Sequence, residues 1–198
     1  MIQVREIQKN EKVLIDEIAK IHLLAFKGFF LSSMGKSFLK NMYLSYAEDE
    51  KSSLLVALED EKAVGFLSYS KDIDELYKFM SKKHTVSFAI NCVGAAVKNP
   101  KKVFSKIHRF FKPVEEPRKE KYVKLSSIGV LPEYQRRGIG TLLINKMMED
   151  VSSTDGYVSL DTDAKNNDNA IKFYTKNGFI KSREFIADEN REMIEFRR

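Results

Sequence analysis

The chain has 198 residues, 43% of them hydrophobic, with 34 Lys and Arg against 28 Asp and Glu, one cysteine and a net charge of +6. That length and apolar content suffice for one core, so a single domain over 1–198 is expected. Lone Cys92 excludes an internal disulfide and has no Cys/His cluster around it, and Met1 to Gln8 has no secretory pattern. A cytoplasmic chain with no metal and no transmembrane segment is therefore the expectation.

Ile2 to Ile7 alternates as a strand does, and Glu11 to Phe26 carries apolar residues at Val13, Leu14, Ile18, Ile21, Leu24 and Ala25, a helical stripe. A second helix is predicted from about Gly35 to Ala47, with Phe38, Leu39, Met42, Tyr43 and Tyr46 on one side. Leu54–Leu58 and Ala63–Tyr69 flank the turn Glu59-Asp60-Glu61-Lys62 and predict a hairpin. From Val123, a strand (to Val130), a turn at Leu131–Tyr134 and a helix with Leu142, Leu143, Ile144, Met147 and Met148 follow. Tyr157–Asp161 reads as another strand, and Phe185–Arg198 as a closing antiparallel pair.

Between the third and fourth strands lies an excess. Asp72–Lys83 and about Val97–Phe111 look helical, with Pro100 near a start and Pro113 and Pro117 past an end. Residues 71–124 hold 14 Lys and Arg against 6 Asp and Glu, a net of +8, which leaves −2 for the rest. The positive charge therefore belongs to one helical insertion, 71–120. A solvated lid or dimer arm and a surface for an anionic partner (a phosphorylated substrate, acidic lipid or nucleic acid) are both open. Nucleic acid is the least favoured of these, because no recognised motif accompanies the charge.

The informative run is Gln135-Arg136-Arg137-Gly138-Ile139-Gly140-Thr141, at the strand-to-helix turn. A Gly-rich turn feeding a helix exposes backbone N–H groups without intrahelical partners, at the positive end of the helix dipole. It is a place for a phosphate, and the two arginines add fixed charge. A Walker A loop is absent, and the dinucleotide fingerprint fails because Leu143 stands where its third glycine would be. The pattern Gln-x-x-Gly-x-Gly instead resembles the acetyl-CoA pyrophosphate loop of the GCN5-related N-acetyltransferase (GNAT) family. A second stretch, Asn167 to Phe179, resembles the family's Asn-x-x-Ala-x-x-x-Tyr-x-x-x-Gly-Phe signature. In it Asn167 or Asp168 can cap a helix and Gly178 can end it.

The resemblance is specific over 121–198 and looser over 1–70. It implies an α/β fold of α+β type: a central mixed, mostly antiparallel sheet flanked by helices and split between its fourth and fifth strands. It implies that Ile128, Gly129 and Val130 run along the pantetheine arm, with a main-chain N–H near Val130 polarising the thioester. Gln135, Arg136, Arg137, Gly138, Ile139, Gly140 and Thr141 would hold the pyrophosphate, and Asn167 would meet the pantetheine or phosphate region. Tyr174 would line the coenzyme site and give its phenolic proton to the departing thiolate. An acidic base is usual near the start of the fourth strand, where Lys124 stands here. Ser126, Ser127, Asp161, Asp163 and His22 are then the groups able to pass a proton.

The loop between the first two helices, Phe26-Lys27-Gly28-Phe29-Phe30-Leu31-Ser32-Ser33-Met34-Gly35, is where the family's acceptor binds. Phe26, Phe29 and Phe30 can stack on a sugar ring or pack on the core. Acetyl transfer from acetyl-CoA to the primary amine of a small molecule, an amino sugar being the foremost class, is the leading expectation. Transfer to a protein lysine or N-terminus, and non-catalytic acyl-CoA binding, remain as alternatives. A homodimer and peripheral contact with acidic surfaces are open.

Overall fold

The structure, a computed structural model, describes residues 1–91, 120–154, 156–187 and 190–198, with side chains from 84 to 91 outside the description. The helix expected over 97–111, its flanking prolines and Cys92 lie outside the described residues.

Strands β1 (Ile2–Glu6), β2 (Ser52–Glu59), β3 (Lys62–Ser70), β4 (Tyr122–Val130), β5 (Tyr157–Asp163), β6 (Ile180–Ala187) and β7 (Arg191–Arg197) form one seven-stranded sheet. Its order is β1-β2-β3-β4-β5-β7-β6, antiparallel throughout except for β4 and β5. Helices α1 (Lys12–Ala25), α2 (Phe30–Ser33), α3 (Lys36–Glu48) and α4 (Ile73–Asn91) precede β4. Helices α5 (Ile139–Asp150) and α6 (Asp168–Lys176) follow it. The mixed, mostly antiparallel sheet flanked by helices is the expected architecture.

The two-residue side-chain period of a strand sorts the sheet into two cores. On β2, Leu54, Val56 and Leu58 pack with α1 and α3, while Leu55 and Ala57 face the other way, onto the α5 side. The α1 stripe differs in part from the prediction: Ile18 and Ile21 are buried as expected, but Val13 and Leu24 stand in solvent, and the line facing the sheet is Ile15, Ile18, Ala19 and His22. That i, i+3, i+4, i+7 spacing puts a histidine on the face that meets the sheet. On α3 the predicted line is buried as expected. Asp72 starts α4 by accepting the Glu75 N–H at 3.1 Å. Among the described residues, no helix is long and apolar enough to cross a membrane.

One topological feature makes the site. Strands β4 and β5 are paired only at Tyr122↔Tyr157, Val123↔Val158 and Lys124↔Ser159, and then part. β7 pairs with β5 along its other edge from Ser159 to Asp163, past the point where β4 and β5 part. At the same level β4 carries a bulge, since Tyr69 pairs with Leu125 and Ser68 with Ser127, leaving Ser126 unmatched. From Leu125 on, one edge of β4 has no neighbouring strand among the described residues.

Candidate active site in the strand split

Leu131 donates its N–H to Val64 C=O at 2.9 Å, so Leu131 faces β3. Alternation along a strand then turns the main chain of Val130 and Ile128 the other way, into the split. The Val130 carbonyl accepts from Gln135 Nε2 at 3.3 Å, which fixes the loop against the strand. An unpaired strand edge of this kind is ready to bond an extended amide-bearing ligand.

The split widens into a cleft of about 830 Å³ that passes from the α5 and α6 side of the sheet to the α1 side. At one end lie Gln135, Arg136, Gly138, Ile139, Gly140 and Thr141. Gly138 is the left-handed N-cap of α5 at φ +79°, and a Cβ there would meet nothing within 4 Å among the described residues. The first helical bond is Leu142 N–H to Gly138 C=O, so the N–H groups of Ile139, Gly140 and Thr141 have no intrahelical partner. Arg136, in the left-handed region at φ +61°, also lines this end. Unbonded donors, open space and a fixed cation fit a pyrophosphate.

Two expected residues, Arg137 and Gly129, do not line the cleft, and a third, Asn167, lines it with its side chain bonded to β5. Arg137 does not line the cleft: its guanidinium pairs with Glu59 at 3.2 Å and lies 4.9 Å over the Tyr134 ring. Gly129 is turned into the core, where a Cβ would fall 2.8 Å from Phe66, so close packing explains it. Asn167 occupies the N-cap of α6 but makes no side-chain cap. Its Nδ2 donates instead to Thr162 Oγ1 at 2.6 Å and Asp163 C=O at 3.2 Å, bracing the end of β5 at the cleft wall.

Gly140 has a second reason that the motif does not reveal. A Cβ on it would lie 2.8 Å from the Phe173 ring, so this glycine lets α5 and α6 close on each other. At the end of α6, Phe179 N–H bonds Tyr174 C=O and Gly178 N–H bonds Thr175 C=O, both at 3.1 Å, with Gly178 at φ +80°. This Schellman ending turns the chain into β6.

Tyr174 lines the cleft between the two ends. Its ring packs edge-on against Phe173 and Phe179, centroids 5.4 and 5.9 Å away. Burial pushes its phenol up to about 12, so the proton is in place at neutral pH.

The other end gathers His22, Phe26, Phe29, Phe30, Ser127 and Asp161. His22 is 3% exposed, and its ring centroid lies 4.7 Å from that of Phe26. Burial lowers the imidazole to about 4, so the ring is neutral. Tyr43 Oη lies 2.6 Å from His22 Nδ1 and 3.4 Å from Ser127 Oγ. Asp163 is held by Arg191 through two hydrogen bonds, at 2.5 and 2.7 Å, and Arg191 also lies 5.9 Å over the Phe29 ring. Lys124 holds Asp161 Oδ2 at 2.5 Å, while the buried Oδ1 has no partner among the described residues.

Sequence reading did not single out Tyr43 or Arg191 as site groups. Tyr43 looks like one aromatic in a packing stripe, and Arg191 like one cation in a charged hairpin. Phe173 sits inside the second motif at a position the motif leaves open.

The sequence matches the family model described as Acetyltransferase (GNAT) family over residues 15–179. No curated protein matches it. Among solved structures, an N-acetyltransferase from Staphylococcus aureus Mu50 superposes with a TM-score of 0.65 at 18% identity, covering 100% of both chains. Arabidopsis thaliana NAA60 in complex with acetyl-CoA does so at 0.60 and 17%, covering 100% of this chain and 98% of its own. The ribosomal-protein-S18-alanine N-acetyltransferase of Escherichia coli gives 0.56 and 15%, with 100% and 92% covered.

Proposed function

The chain belongs to the GNAT acetyltransferase family, and on that premise we propose that it moves an acetyl group from acetyl-CoA to a primary amine of a small molecule, an amino sugar being the foremost class. Attack is direct, with both substrates bound together, and the enzyme works in the cytoplasm. One observation carries the reading: a single cleft joins the donor-rich helix start to an aromatic pocket through the split sheet, with Tyr174 between them.

Acetyl-CoA supplies an activated acyl group on a sulfur leaving group. The N–H groups of Ile139, Gly140 and Thr141, with Arg136, hold its pyrophosphate. The exposed edge of β4 at Ile128 and Val130 holds the amide-bearing arm, and a main-chain N–H near Val130 polarises the carbonyl oxygen. Tyr174 keeps a proton at Oη for the sulfur as it leaves. Proton removal from the amine falls to the wall formed by Ser127 and Asp161, with His22 beside them at the acceptor end. Asp163 is committed to Arg191, which leaves Asp161, whose buried Oδ1 has no partner among the described residues, as the carboxylate of that wall. Phe26, Phe29 and Phe30 give the acceptor an apolar face on which a sugar ring can lie.

The test is acetyl-CoA-dependent release of free CoA thiol across a panel of amino sugars, simple amines and peptides. The peptides are included because the E. coli neighbour is named for acetylating a protein alanine. Turnover of peptides alone would replace the small-molecule reading. A melting temperature unmoved by acetyl-CoA would remove the donor assignment.

A further inference from the structure

His22 sits at the aromatic end of the cleft with its Nε2 buried and without a partner among the described residues. The hydrogen on its ring can be placed from the bond at the other nitrogen. Nδ1 lies 2.6 Å from Tyr43 Oη, a hydrogen bond that the phenol or the ring could donate. Chemistry assigns the donor, since a phenol is a better donor than a neutral imidazole N–H, and an unprotonated imidazole nitrogen a better acceptor than a phenol oxygen. Tyr43 donates and Nδ1 accepts. A neutral ring carries one N–H, and with Nδ1 occupied as an acceptor that hydrogen is on Nε2.

We propose that His22, held by Tyr43 as the Nε2–H tautomer, is a hydrogen-bond donor to an oxygen of the acceptor, so that the acceptor is an amine carrying a hydroxyl or ether oxygen close to its nitrogen. This rests on the acetyl-transfer reading above. It also removes His22 from proton abstraction, because its one lone pair is already used. A buried donor with no protein partner costs stability until a ligand meets it, and discriminates strongly against ligands that cannot. The oxygen it meets belongs to the acceptor because the ring packs on Phe26 and Phe66, on the sheet face opposite α5 and the anion-binding turn. Tyr43 is the positioning residue.

Two measurements test this. The chain has three histidines, so ring-nitrogen NMR of histidine-labelled protein reads the tautomer directly, with His22 assigned by its loss in His22→Gln. A proton on Nε2, and a displaced Nδ1 signal in Tyr43→Phe, are expected; a proton on Nδ1 overturns the proposal. The second measurement is the ratio of kcat/KM for glucosamine over cyclohexylamine, and for ethanolamine over propylamine. Each ratio comes from one preparation, so the fraction of folded enzyme cancels. A preference for the oxygen-bearing amine that collapses about tenfold or more in His22→Phe is expected. An unchanged ratio, or turnover of none of the four while acetyl-CoA still raises the melting temperature, overturns the acceptor assignment. If acetyl-CoA itself fails to bind, the transfer reading falls and the tautomer result is unaffected.

Discussion

Lys124 on β4 and Asp161 on β5 meet across the line where their strands part, with Nζ 2.5 Å from Oδ2. Both side chains are mostly buried, at 18% and 27% exposure. The pair closes the apex of the split, where the sheet itself stops bonding. Lys124 thus stands where the family resemblance leads one to look for an acid, and it serves a carboxylate on the neighbouring strand. Lys124→Met leaves that carboxylate in a half-buried site without its cation, and a loss of about 1–3 kcal/mol is expected. Lys124→Met with Asp161→Asn should recover part of it. Urea midpoints of the four proteins decide; additive losses would mean the two residues are not coupled.

Tyr174→Phe removes only the phenolic oxygen from a ring that stays packed among Phe173, Phe179 and Phe196. Turnover of the best amine should fall about 10²–10⁴-fold, the usual range for one proton donor. Acetyl-CoA affinity, measured by calorimetry, should stay within about twofold, because one neutral hydroxyl contributes little to binding the whole coenzyme. A loss confined to affinity would make Tyr174 a binding residue.

Gly140 separates two explanations for one motif position. Gly140→Ala places a methyl 2.8 Å from Phe173 and should cost about 1–3 kcal/mol by overpacking. Combined with Phe173→Leu, the methyl gains room and the alanine penalty should shrink. If it persists unchanged in the leucine background, helix packing is not what requires glycine there. Thermal unfolding of the four proteins reads this out.

The neighbouring arginines should behave differently. Arg136 lines the cleft and Arg137 is engaged with Glu59 and Tyr134. Arg136→Ala should weaken coenzyme binding about tenfold, and the deficit should narrow as salt screens the interaction. Arg137→Ala should change affinity less than about twofold and stability by at most about 1 kcal/mol, as for an exposed ion pair. The reverse ranking would place the coenzyme on the other side of the turn.

His22 gives the protein a pH signature. Its folded value is lowered from 6.5 to about 4, so the unfolded chain binds a proton that the native state refuses. Stability is therefore full above about pH 6.5 and falls as the pH drops toward 4, by about 3 kcal/mol in total. The difference in unfolding free energy between wild type and His22→Gln should change across that window and be flat above it. Denaturant titrations at pH 7.5, 6, 5 and 4 measure it; a flat difference throughout would mean that the ring is open to solvent.

Two signatures in chain order were legible before any fold was known, because each encodes a local backbone requirement. Gln135–Thr141 spells a left-handed cap opening a helix, and Asn167–Phe179 a short helix with a glycine ending. Strand alternation and helix stripes gave the element order with most boundaries shifted by a residue or two, but the helix read to Lys83 runs on to Asn91 and the short helix Phe30–Ser33 falls in the stretch read as a loop. What the stripes could not specify is rotation: Val13 and Leu24 look like core residues but face solvent, while His22 takes the buried place. Nothing local marks that difference, since it depends on which sheet face α1 meets.

The amino-acid sequence by itself determined the family, the sheet of strands with its helices, and the turn able to hold a pyrophosphate. Only the tertiary structure decided what each side chain is for. It turned Arg137 to Glu59, gave Gly140 to Phe173, set Lys124 against Asp161 and brought the His22 ring to Tyr43, 21 positions away. The physical reason is that motif chemistry is written in backbone geometry over a few consecutive residues. Hydrogen-bond roles and pKa values arise instead from groups brought together by packing across the sheet, and no spacing along the chain records them.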